Sequence, residues 1–274
     1  RAERSIPVLF TDIDILDENL DYQAHQWVGV KDGTIDYIGD AAPENAADYG
    51  ETYDGCGRLL MPALYNAHTH LPMTLLRGYA ENLPLQRWLG EKVFPFEDQI
   101  DDEAAYYGTL LAISEMLASG TASFSDMYFF FGGMVPAILE SGIKCNLSRG
   151  LTVFDDSDYT DLPAYRDNVR LRGEWNGANN GRLIGDLCIH GEYTSNPKIV
   201  EAVAQHARET GARIQIHLSE TQTEHEECKG RHGLTPAAYM EKHGIFDSPT
   251  TAAHCVWLED EDFDILKRHG VTVA

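Results

Sequence analysis

Histidines recur in this sequence where short apolar segments end. The first case is His68-Thr69-His70, which follows the apolar run 59–65. If this run is a β-strand, His68 and His70 point to the same face, because residues i and i+2 of a strand do so. Two imidazoles on one face can bind Zn²⁺ or Fe²⁺. Such pairs also occur on protein surfaces, so this pair alone does not decide between the two readings.

Three further histidines end apolar segments in the same way: His190, His217 and His254. Glu220 follows His217 by three residues. That offset can place a carboxylate beside a reacting water molecule without binding a metal, where it could transfer protons. The alternative is that His217 makes a structural hydrogen bond and that Glu220 is a solvated member of an acidic run that continues to Glu227.

Five histidines at the ends of four segments can meet only if those segments are parallel strands that end at one edge. We therefore predict a metal site there. Segments 183–190 and 213–218 contain no lysine that could bridge two metals as a carbamate, so a single divalent ion is expected. Such an ion lowers the pKa of water from 15.7 to about 7–9. The remaining histidines are interpreted as surface residues: His25, His206, His225, His232, His243 and His269.

The elements that would position these side chains alternate between short apolar strands and longer helices. The strand candidates are 60–67, 121–127, 144–151, 183–190, 213–218, 250–256 and 271–274. Helices are predicted over 102–119, with Tyr106, Leu110, Ile113 and Leu117 at helical spacing, and over 198–210. This alternation predicts an α/β fold, either a TIM-type (β/α)₈ barrel or a doubly wound sheet. No glycine-rich phosphate loop follows a strand, which argues against a nucleotide cofactor.

Two units are expected along the chain. Residues 1–60 contain short strands and a hairpin signal at Lys31-Asp32-Gly33, and form the first part of a small β-sandwich domain. Residues 61–274 would form the barrel through about its seventh strand, with the C-terminal part missing. The chain begins with Arg1 rather than Met, so a trimmed N-terminus is expected, and no secretory signal is visible.

Charge and cysteine content limit the partners and the compartment. The formal net charge is −23, with 44 acidic and 21 basic residues, which argues against nucleic acids or anionic membranes as partners. No run of 18 apolar residues suggests a membrane span. Five scattered cysteines favour a reducing cytoplasm over a disulfide framework. The scarcity of lysine suggests a halophilic protein, although an ordinary acidic cytosolic enzyme would also fit.

The sequence around the first histidine pair resembles a known family. Residues 61–78, Met-Pro-Ala-Leu-Tyr-Asn-Ala-His-Thr-His-Leu-Pro-Met-Thr-Leu-Leu-Arg-Gly, are similar to the signature of the amidohydrolase superfamily. More narrowly, they resemble the branch of S-adenosylhomocysteine/5′-methylthioadenosine deaminases and related chlorohydrolases. The resemblance extends from the N-terminal β unit to the last residue.

This resemblance implies roles for the strand-end residues. His68, His70 and His217 would bind one divalent metal, for which zinc is favoured over iron. Glu220 would be the proton shuttle that also contacts a ring nitrogen, and His254 would hydrogen-bond the attacking hydroxide.

The resemblance also implies a substrate-binding segment. Residues 83–89 and 94–97 are similar to the lid of nucleoside deaminases, where Trp88 would pack against the substrate and Glu97 would bind the ribose hydroxyls. Arg149 and His190 match positions that face the sugar and its 5′ side.

Two departures from the family pattern affect these expectations. The usual His-Ala-Pro-Tyr-Thr reads His190-Gly191-Glu192-Tyr193-Thr194 here, so Glu192 is expected to add charge near the pocket. The family also supplies an Asp ligand after an eighth strand, which lies beyond this chain. We therefore expect the 274-residue chain by itself to be inactive.

The expected activity is metal-dependent hydrolytic deamination of an adenine-type nucleoside, with an inosine-type product and ammonia. One alternative is another reaction of the same superfamily, such as triazine dechlorination or deamination of a free base. A non-catalytic barrel scaffold is the other alternative. A small-molecule substrate is the expected partner, and a homo-oligomer remains open.

Overall fold

The computed structural model describes residues 6–274, and the residues up to Ala63 form one compact unit. This unit is a five-stranded sheet in which β3, β2, β1 and β4 are neighbours and β5 also pairs with β1. The predicted hairpin at Asp32-Gly33 is confirmed: it joins β2 and β3, and both residues have positive φ. The strands are β1 (Val8–Leu16), β2 (Tyr22–Lys31), β3 (Thr34–Gly39), β4 (Glu51–Asp54) and β5 (Leu59–Leu60).

The second unit, Leu64–Ala274, contains a sheet of seven parallel strands in chain order. The doubly wound alternative is wrong, because such a sheet reverses its strand order at a switch point. All five residues of the inner strand β10 are buried, as expected where helices cover a parallel sheet. The strands are β6 (Leu64–Thr69), β7 (Thr121–Tyr128), β8 (Lys144–Arg149), β9 (Leu183–Ile189), β10 (Ile214–Leu218), β11 (Thr250–His254) and β12 (Thr272–Val273).

Among residues 6–274, ten α-helical segments connect or follow these strands. Among the described residues, no helix has both the length and the apolar character needed to cross a membrane. A π-helical turn, Leu89–Val93, joins the first two segments into one continuous stretch. The helices are α1 (Leu85–Trp88), α2 (Phe94–Glu97), α3 (Asp102–Ala118), α4 (Phe131–Ser141), α5 (Pro163–Arg170), α6 (Ala178–Gly181), α7 (Pro197–Thr210), α8 (Gln222–His232), α9 (Pro236–Lys242) and α10 (Asp260–His269).

The ends of α7 follow the local signals in the sequence. The Asn196 side chain accepts a hydrogen bond from the Ile199 amide at 3.0 Å, and Pro197 occupies the first helical position. Gly211 ends the helix in the left-handed conformation, with φ at 64°. The Asn196 cap gives a partner to an amide that has none within the helix. Proline has no N–H, which at the first helical position would lack a partner, and glycine has no Cβ to hinder the left-handed conformation.

The buried face of α3 differs from the predicted one. Of the four residues at helical spacing, Ile113 is buried, whereas Leu117 is half exposed. The buried face includes the small residues Ala105, Gly108 and Ala112 instead. Small side chains let the backbone of a neighbouring element approach, and a Cβ at Gly108 would lie 3.1 Å from a backbone oxygen. Close packing, rather than the pattern of large apolar residues, decides this face.

The first strand of the parallel sheet also begins later than predicted. The prediction started it at residue 60, but Leu59 and Leu60 form β5 and pair with Asp14 and Ile15 of β1. The strand β6 begins at Leu64. A continuous apolar run was therefore divided between two sheets, which the run by itself does not reveal.

The core beneath the site lies between β10 and the helices that follow β9 and β10. Ile214 and Ile216 are completely buried and belong to one cluster with Val200 and Val203 of α7. Because interior side chains are packed as densely as in organic crystals, this cluster holds the ends of the strands in a fixed arrangement. The histidines described below stand at those ends.

Candidate metal and substrate site

The carboxyl ends of four strands bring the predicted histidines together. One nitrogen each of His68, His217 and His254 lie within 4.8 Å of one another. The Nε2 atom of His70 lies 3.3 Å from Nε2 of His217. His190 is adjacent, with its ring centre 4.7 Å from that of His217. The predicted metal site requires parallel strands that end at one place, and the structure has this arrangement.

The hydrogen bonds behind His70 and His217 prepare both rings for a cation. Their Nδ1 atoms lie 2.7 Å from the carbonyl oxygens of Met127 and His190, respectively. A carbonyl only accepts, so each Nδ1 carries the proton and each Nε2 presents a lone pair. Two lone pairs facing each other at 3.3 Å repel, unless a cation lies between or beside them. These residues therefore fit a metal ion.

The charge state of the imidazoles leads to the same conclusion. Burial lowers the pKa of His68 to about 3 and that of His190 to about 4, and neighbouring imidazoles add to the effect. Burial, followed by the nearby His190, also holds the pKa of His217 well below its usual value. Neutral imidazoles are the form that binds divalent metals, so the ligand set is ready at neutral pH.

Glu220 and His254 lie together beside this cluster. His254 Nε2 is 3.6 Å from Glu220 Oε2, which is too long for a hydrogen bond, so both groups are available to a third molecule. Burial raises the pKa of Glu220, while His254 lowers it. The backbone of His254 and of Cys255 is left-handed, at φ 78° and 51°. Such strain in non-glycine residues is concentrated at functional sites.

Glu224, which was not predicted as a site residue, is buried and holds the loop that carries Glu220. Its side chain is 1% exposed. Oε1 accepts from the Ser219 amide at 3.0 Å, and Oε2 accepts from the Glu220 amide at 2.8 Å. The sequence signal that could have found it is Thr221-Gln222-Thr223-Glu224, a capping-box pattern at the start of α8.

A second buried carboxylate, Asp126, supports the histidine pair on β6. Its Oδ2 accepts from the Thr69 hydroxyl at 2.8 Å and from the Leu71 amide at 2.7 Å, on either side of His70. Burial raises the pKa of Asp126 to about 7, against the lowering effect of these two donors. The sequence reading missed Asp126, because nothing local indicates that it reaches across to the neighbouring strand.

A cavity of about 310 Å³ opens onto the cluster. Trp88, Glu97 and Glu220 line it, together with the five strand-end histidines His68, His70, His190, His217 and His254. The Trp88 ring is fixed by a hydrogen bond from Nε1 to the Ala80 carbonyl at 3.1 Å. Burial raises the pKa of Glu97, while the Tyr128 hydroxyl lowers it. The apolar part of the lining includes Met73, Leu85, Leu89, Val93, Phe94 and Phe129.

Arg149 is placed differently from the other predicted substrate residues, because its side chain does not line this cavity. Its Nε donates to Asp167 at 2.9 Å and its Nη1 donates to the Gly150 carbonyl at 2.6 Å. The guanidinium lies 4.7 Å from the ring centre of Phe129, which does line the cavity. A role for Arg149 at the sugar or 5′ side therefore stays a prediction.

The loop after β9 contributes Tyr193, which the sequence reading did not single out as a site residue. Tyr193 lines the cavity, and its ring centre lies 5.8 Å from that of His190. The His190 Nδ1 atom is 3.0 Å from the Thr194 hydroxyl, so the loop also orients this imidazole. Tyr193 follows a strand-end histidine by three residues, and this proximity is the signal that could have indicated it.

Glu192 was expected to add charge near the pocket, but it does not line the cavity. Glu192 is 2% exposed, and its carboxylate accepts from Arg231 at 2.5 and 3.2 Å. It also lies 2.8 Å from His232 Nε2. The charge is paired with the Arg231 guanidinium on α8 rather than directed into the cavity lining. Glu192, the residue that departs from the family pattern, thus joins the loop after β9 to α8.

The interpretation of the remaining histidines as surface residues needs correction. His225 is only 4% exposed, and its Nε2 lies 3.0 Å from a Glu259 oxygen. His206, His232, His243 and His269 are half-buried, and only His25 is exposed. A histidine on a polar helix can be covered by the next element, which helical spacing alone does not show.

Known proteins similar in sequence to this chain are named as deaminases. The 5-methylthioadenosine/S-adenosylhomocysteine deaminase of Dictyoglomus thermophilum is 42% identical over 240 residues, which are 88% of this chain and 55% of that protein. The protein of the same name from Moorella thermoacetica is 39% identical over 248 residues, 90% of this chain and 57% of that protein. The chain thus spans a little over half the length of these two curated relatives.

Solved structures show the same fold. An adenosine deaminase from Xanthomonas campestris with bound zinc superposes with a TM-score of 0.85 at 26% identity, covering 97% of this chain and 61% of that one. Guanine deaminase from C. acetobutylicum superposes at 0.87 and 17% identity, covering 97% and 67%. These likenesses confirm the TIM-type α/β fold class. Because residues 59–274 also match the model of the amidohydrolase family, the chain belongs to that family.

Proposed function

We propose that this chain carries the catalytic site of a metal-dependent hydrolase that removes the 6-amino group of adenine nucleosides. The product would be an inosine-type nucleoside and ammonia. The observation that carries the proposal is the meeting of His68, His70, His217, His254 and Glu220 at one cavity. Relatives near 40% identity named as deaminases support the choice of reaction.

Zinc is the metal that we propose for the site. The lone pairs at Nε2 of His70 and His217, with a nitrogen of His68, would hold it. Three neutral nitrogen ligands suit zinc, and the Xanthomonas neighbour contains zinc. When bound, such an ion would lower the pKa of water to about 7 and so make a nucleophile available at neutral pH.

The protein's own residues would direct the proton transfers. Water adds to C6 of the purine as Glu220 takes a proton from this water and delivers one to the adjacent ring nitrogen. The C6–N bond then breaks: Glu220 passes the proton of the new C6 hydroxyl to the amino group, ammonia leaves, and C6 becomes a carbonyl carbon. His254, 3.6 Å from Glu220, is placed to hydrogen-bond the attacking water. The raised pKa of Glu220 suits a group that must both give and take a proton near neutral pH.

The rest of the cavity suits a nucleoside. Trp88 offers an aromatic face to the substrate, and Glu97 offers a carboxylate to ribose hydroxyls. The apolar lining fits the uncharged thioether of a 5′-methylthio group. We propose His190 as a further substrate contact, whereas a contact from Arg149 would require its ion pair with Asp167 to open.

The alternatives make different demands on the site. A free nucleobase or a triazine has no ribose for Glu97 to bind, so the position of Glu97 in the cavity favours a nucleoside. A non-catalytic scaffold has no need for a cluster of imidazoles and a carboxylate at one point. The five cysteines are all free thiols, which supports a reducing compartment such as the cytoplasm.

The test is ammonia release by the protein expressed from its natural gene, with metal content measured alongside. We expect about one divalent ion at the site and turnover of adenosine or its 5′-thio derivatives well above that of free adenine. Removing the metal with a chelator should abolish activity, and zinc should restore it. Equal turnover of base and nucleoside would contradict the role of Glu97, and a metal-free, inactive protein would contradict the enzyme proposal.

A matched pair of variants tests the role of Glu220. Glu220→Gln should lower kcat by about 10²–10⁴-fold while metal content stays unchanged, because the amide cannot transfer the proton. Glu226→Gln makes the same chemical change on the exposed side of α8 and should leave kcat unchanged. A Glu220→Gln variant with normal turnover would remove Glu220 from the mechanism.

A further inference from the structure

Glu224 stands at the start of α8 but directs its side chain backwards along the chain. The helix begins after Thr221, whose side-chain oxygen accepts from the Glu224 amide at 3.1 Å. The Glu224 carboxylate extends toward the residues before Thr221. Each of its oxygens accepts one hydrogen bond, Oε1 from the Ser219 amide and Oε2 from the Glu220 amide. With the side chain 1% exposed, water does not replace these bonds.

The segment that Glu224 holds has an unfavourable backbone conformation. Ser219 lies at φ 50°, in the left-handed region that a non-glycine residue rarely adopts. Holding such a residue costs on the order of 1–3 kcal/mol, and it persists only where its surroundings hold it in place. The two hydrogen bonds to Glu224 fall on this residue and on the next one, Glu220.

The same segment is also joined to the neighbouring strand end. The Ser219 carbonyl accepts from the amides of Val256 at 3.0 Å and Trp257 at 2.9 Å. These residues follow His254, the second group that faces the reacting water in the proposed mechanism. The turn at Ser219 is therefore held twice: Glu224 binds its amides, and the residues that follow His254 bind its carbonyl.

We propose that Glu224 is a positioning residue for Glu220: by binding two consecutive amides it fixes the carboxylate of Glu220 within reach of the substrate ring. This rests on the proposed deaminase function. Glu224 itself does not line the cavity and does not touch the substrate. A carboxyl group suits this position because two converging N–H groups require an acceptor at both oxygens. Burial raises the pKa of Glu224 to about 7, while the amides of Glu220 and Ser219 lower it and so favour the charged form that accepts from both.

The variant that tests this is Glu224→Gln, which keeps the length and shape of the side chain. Its amide offers one acceptor and directs an NH₂ group at the second N–H, so one of the two bonds is lost. We expect kcat to fall about 10–100-fold with KM within about 3-fold of the parent value, because a small displacement of a catalytic group has effects of this size. Metal content and binding of the inosine-type product should be unchanged, since neither needs Glu220 in one exact place.

Hydrogen exchange gives a readout that does not depend on activity. In Glu224→Gln the amides of residues 218–221 should exchange faster, while exchange in β10 and α7 stays at the parent rate. Glu224→Ala, which loses both bonds, should give a larger effect in the same peptide. Glu226→Gln, an exposed change on the same helix, should alter neither kcat nor exchange.

The outcomes separate this inference from the proposed function. If the parent protein deaminates no adenine nucleoside, the proposed function fails, and the exchange data alone decide whether Glu224 holds the loop. Normal kcat in Glu224→Gln together with parent-like exchange over residues 218–221 would overturn the inference. Faster exchange throughout the second unit would overturn it too, because it would show general destabilisation instead of local positioning.

Discussion

At the residue scale, the site depends on how individual side chains are buried and oriented. His70 and His217 present Nε2 because backbone carbonyls occupy their Nδ1 atoms. Their neighbour His68 stays neutral because burial lowers its pKa to about 3. These are local consequences of burial and hydrogen bonding, and they exist before any ligand binds. A metal entering the site would therefore meet a prepared set of donors.

Asp126 gives a pH dependence at this scale. Its pKa is raised from 3.8 to about 7 in the folded protein, so the fold favours the neutral carboxyl. The associated stability is fully present below about pH 4 and is lost as the pH rises to about 7. We expect Asp126→Asn to raise the free energy of unfolding at pH 7.5, on the order of a few kcal/mol, because the amide removes the buried charge but can still accept from Thr69 and Leu71.

Denaturant unfolding of the metal-free protein at pH 4.5 and 7.5 measures this effect. The advantage of Asp126→Asn should shrink at the lower pH, where the parent carboxyl is already neutral. A variant that is equally destabilised at both pH values would show that the carboxylate has a specific structural role and that its ionisation carries no penalty.

At the element scale, α8 joins two loops of the site. Its first turn carries Glu224, which holds the turn with Glu220. Its last turn carries Arg231 and His232, which pair with Glu192 in the loop that presents Tyr193. One helix therefore fixes the segments that follow β9 and β10. The sequence presents α8 only as a polar helix with many charges.

Arg231→Met tests the second of these connections. The change leaves the buried Glu192 carboxylate with only His232 as a partner. We expect a loss of about 1–3 kcal/mol, below the usual cost of breaking a buried pair because Arg231 is itself 40% exposed. The measurement is the free energy of unfolding. Adding Glu192→Gln to Arg231→Met should recover part of the loss, because it removes the unpaired charge.

Arg87→Met is the control for this prediction. Arg87 and Glu91 form an exposed i,i+4 pair with both side chains more than half exposed, and such pairs contribute little. Its loss should leave the free energy of unfolding nearly unchanged. If Arg231→Met costs no more than Arg87→Met, Glu192 does not depend on its arginine.

At the scale of the whole molecule, charge is the dominant feature. A net charge of −23 over 274 residues gives strong self-repulsion, which dissolved salt screens. The halophile hypothesis therefore predicts that the melting temperature rises by several degrees between about 0.1 M and about 2 M KCl. Thermal unfolding followed by circular dichroism is the measurement. An unchanged or lower melting temperature in high salt would favour an ordinary acidic enzyme.

The sequence by itself determined the strand and helix pattern and the candidate ligands. Apolar segments ending in histidine predicted β9, β10 and β11 and the meeting of His190, His217 and His254, because parallel strands have their carboxyl ends at one edge. The ends of α7 were also predictable, since capping depends on residues a few positions apart. These features follow from local geometry.

Only the tertiary structure decided which charged side chains face the cavity. Arg149 turns to Asp167, 18 residues away, and Glu192 turns to Arg231, 39 residues away. Glu224 was within reach of a local reading but was obscured by the acidic run around it. The physical reason is common to Arg149 and Glu192: a charged side chain moves toward the partner that compensates its desolvation, and a partner distant in sequence is known only once the chain has folded.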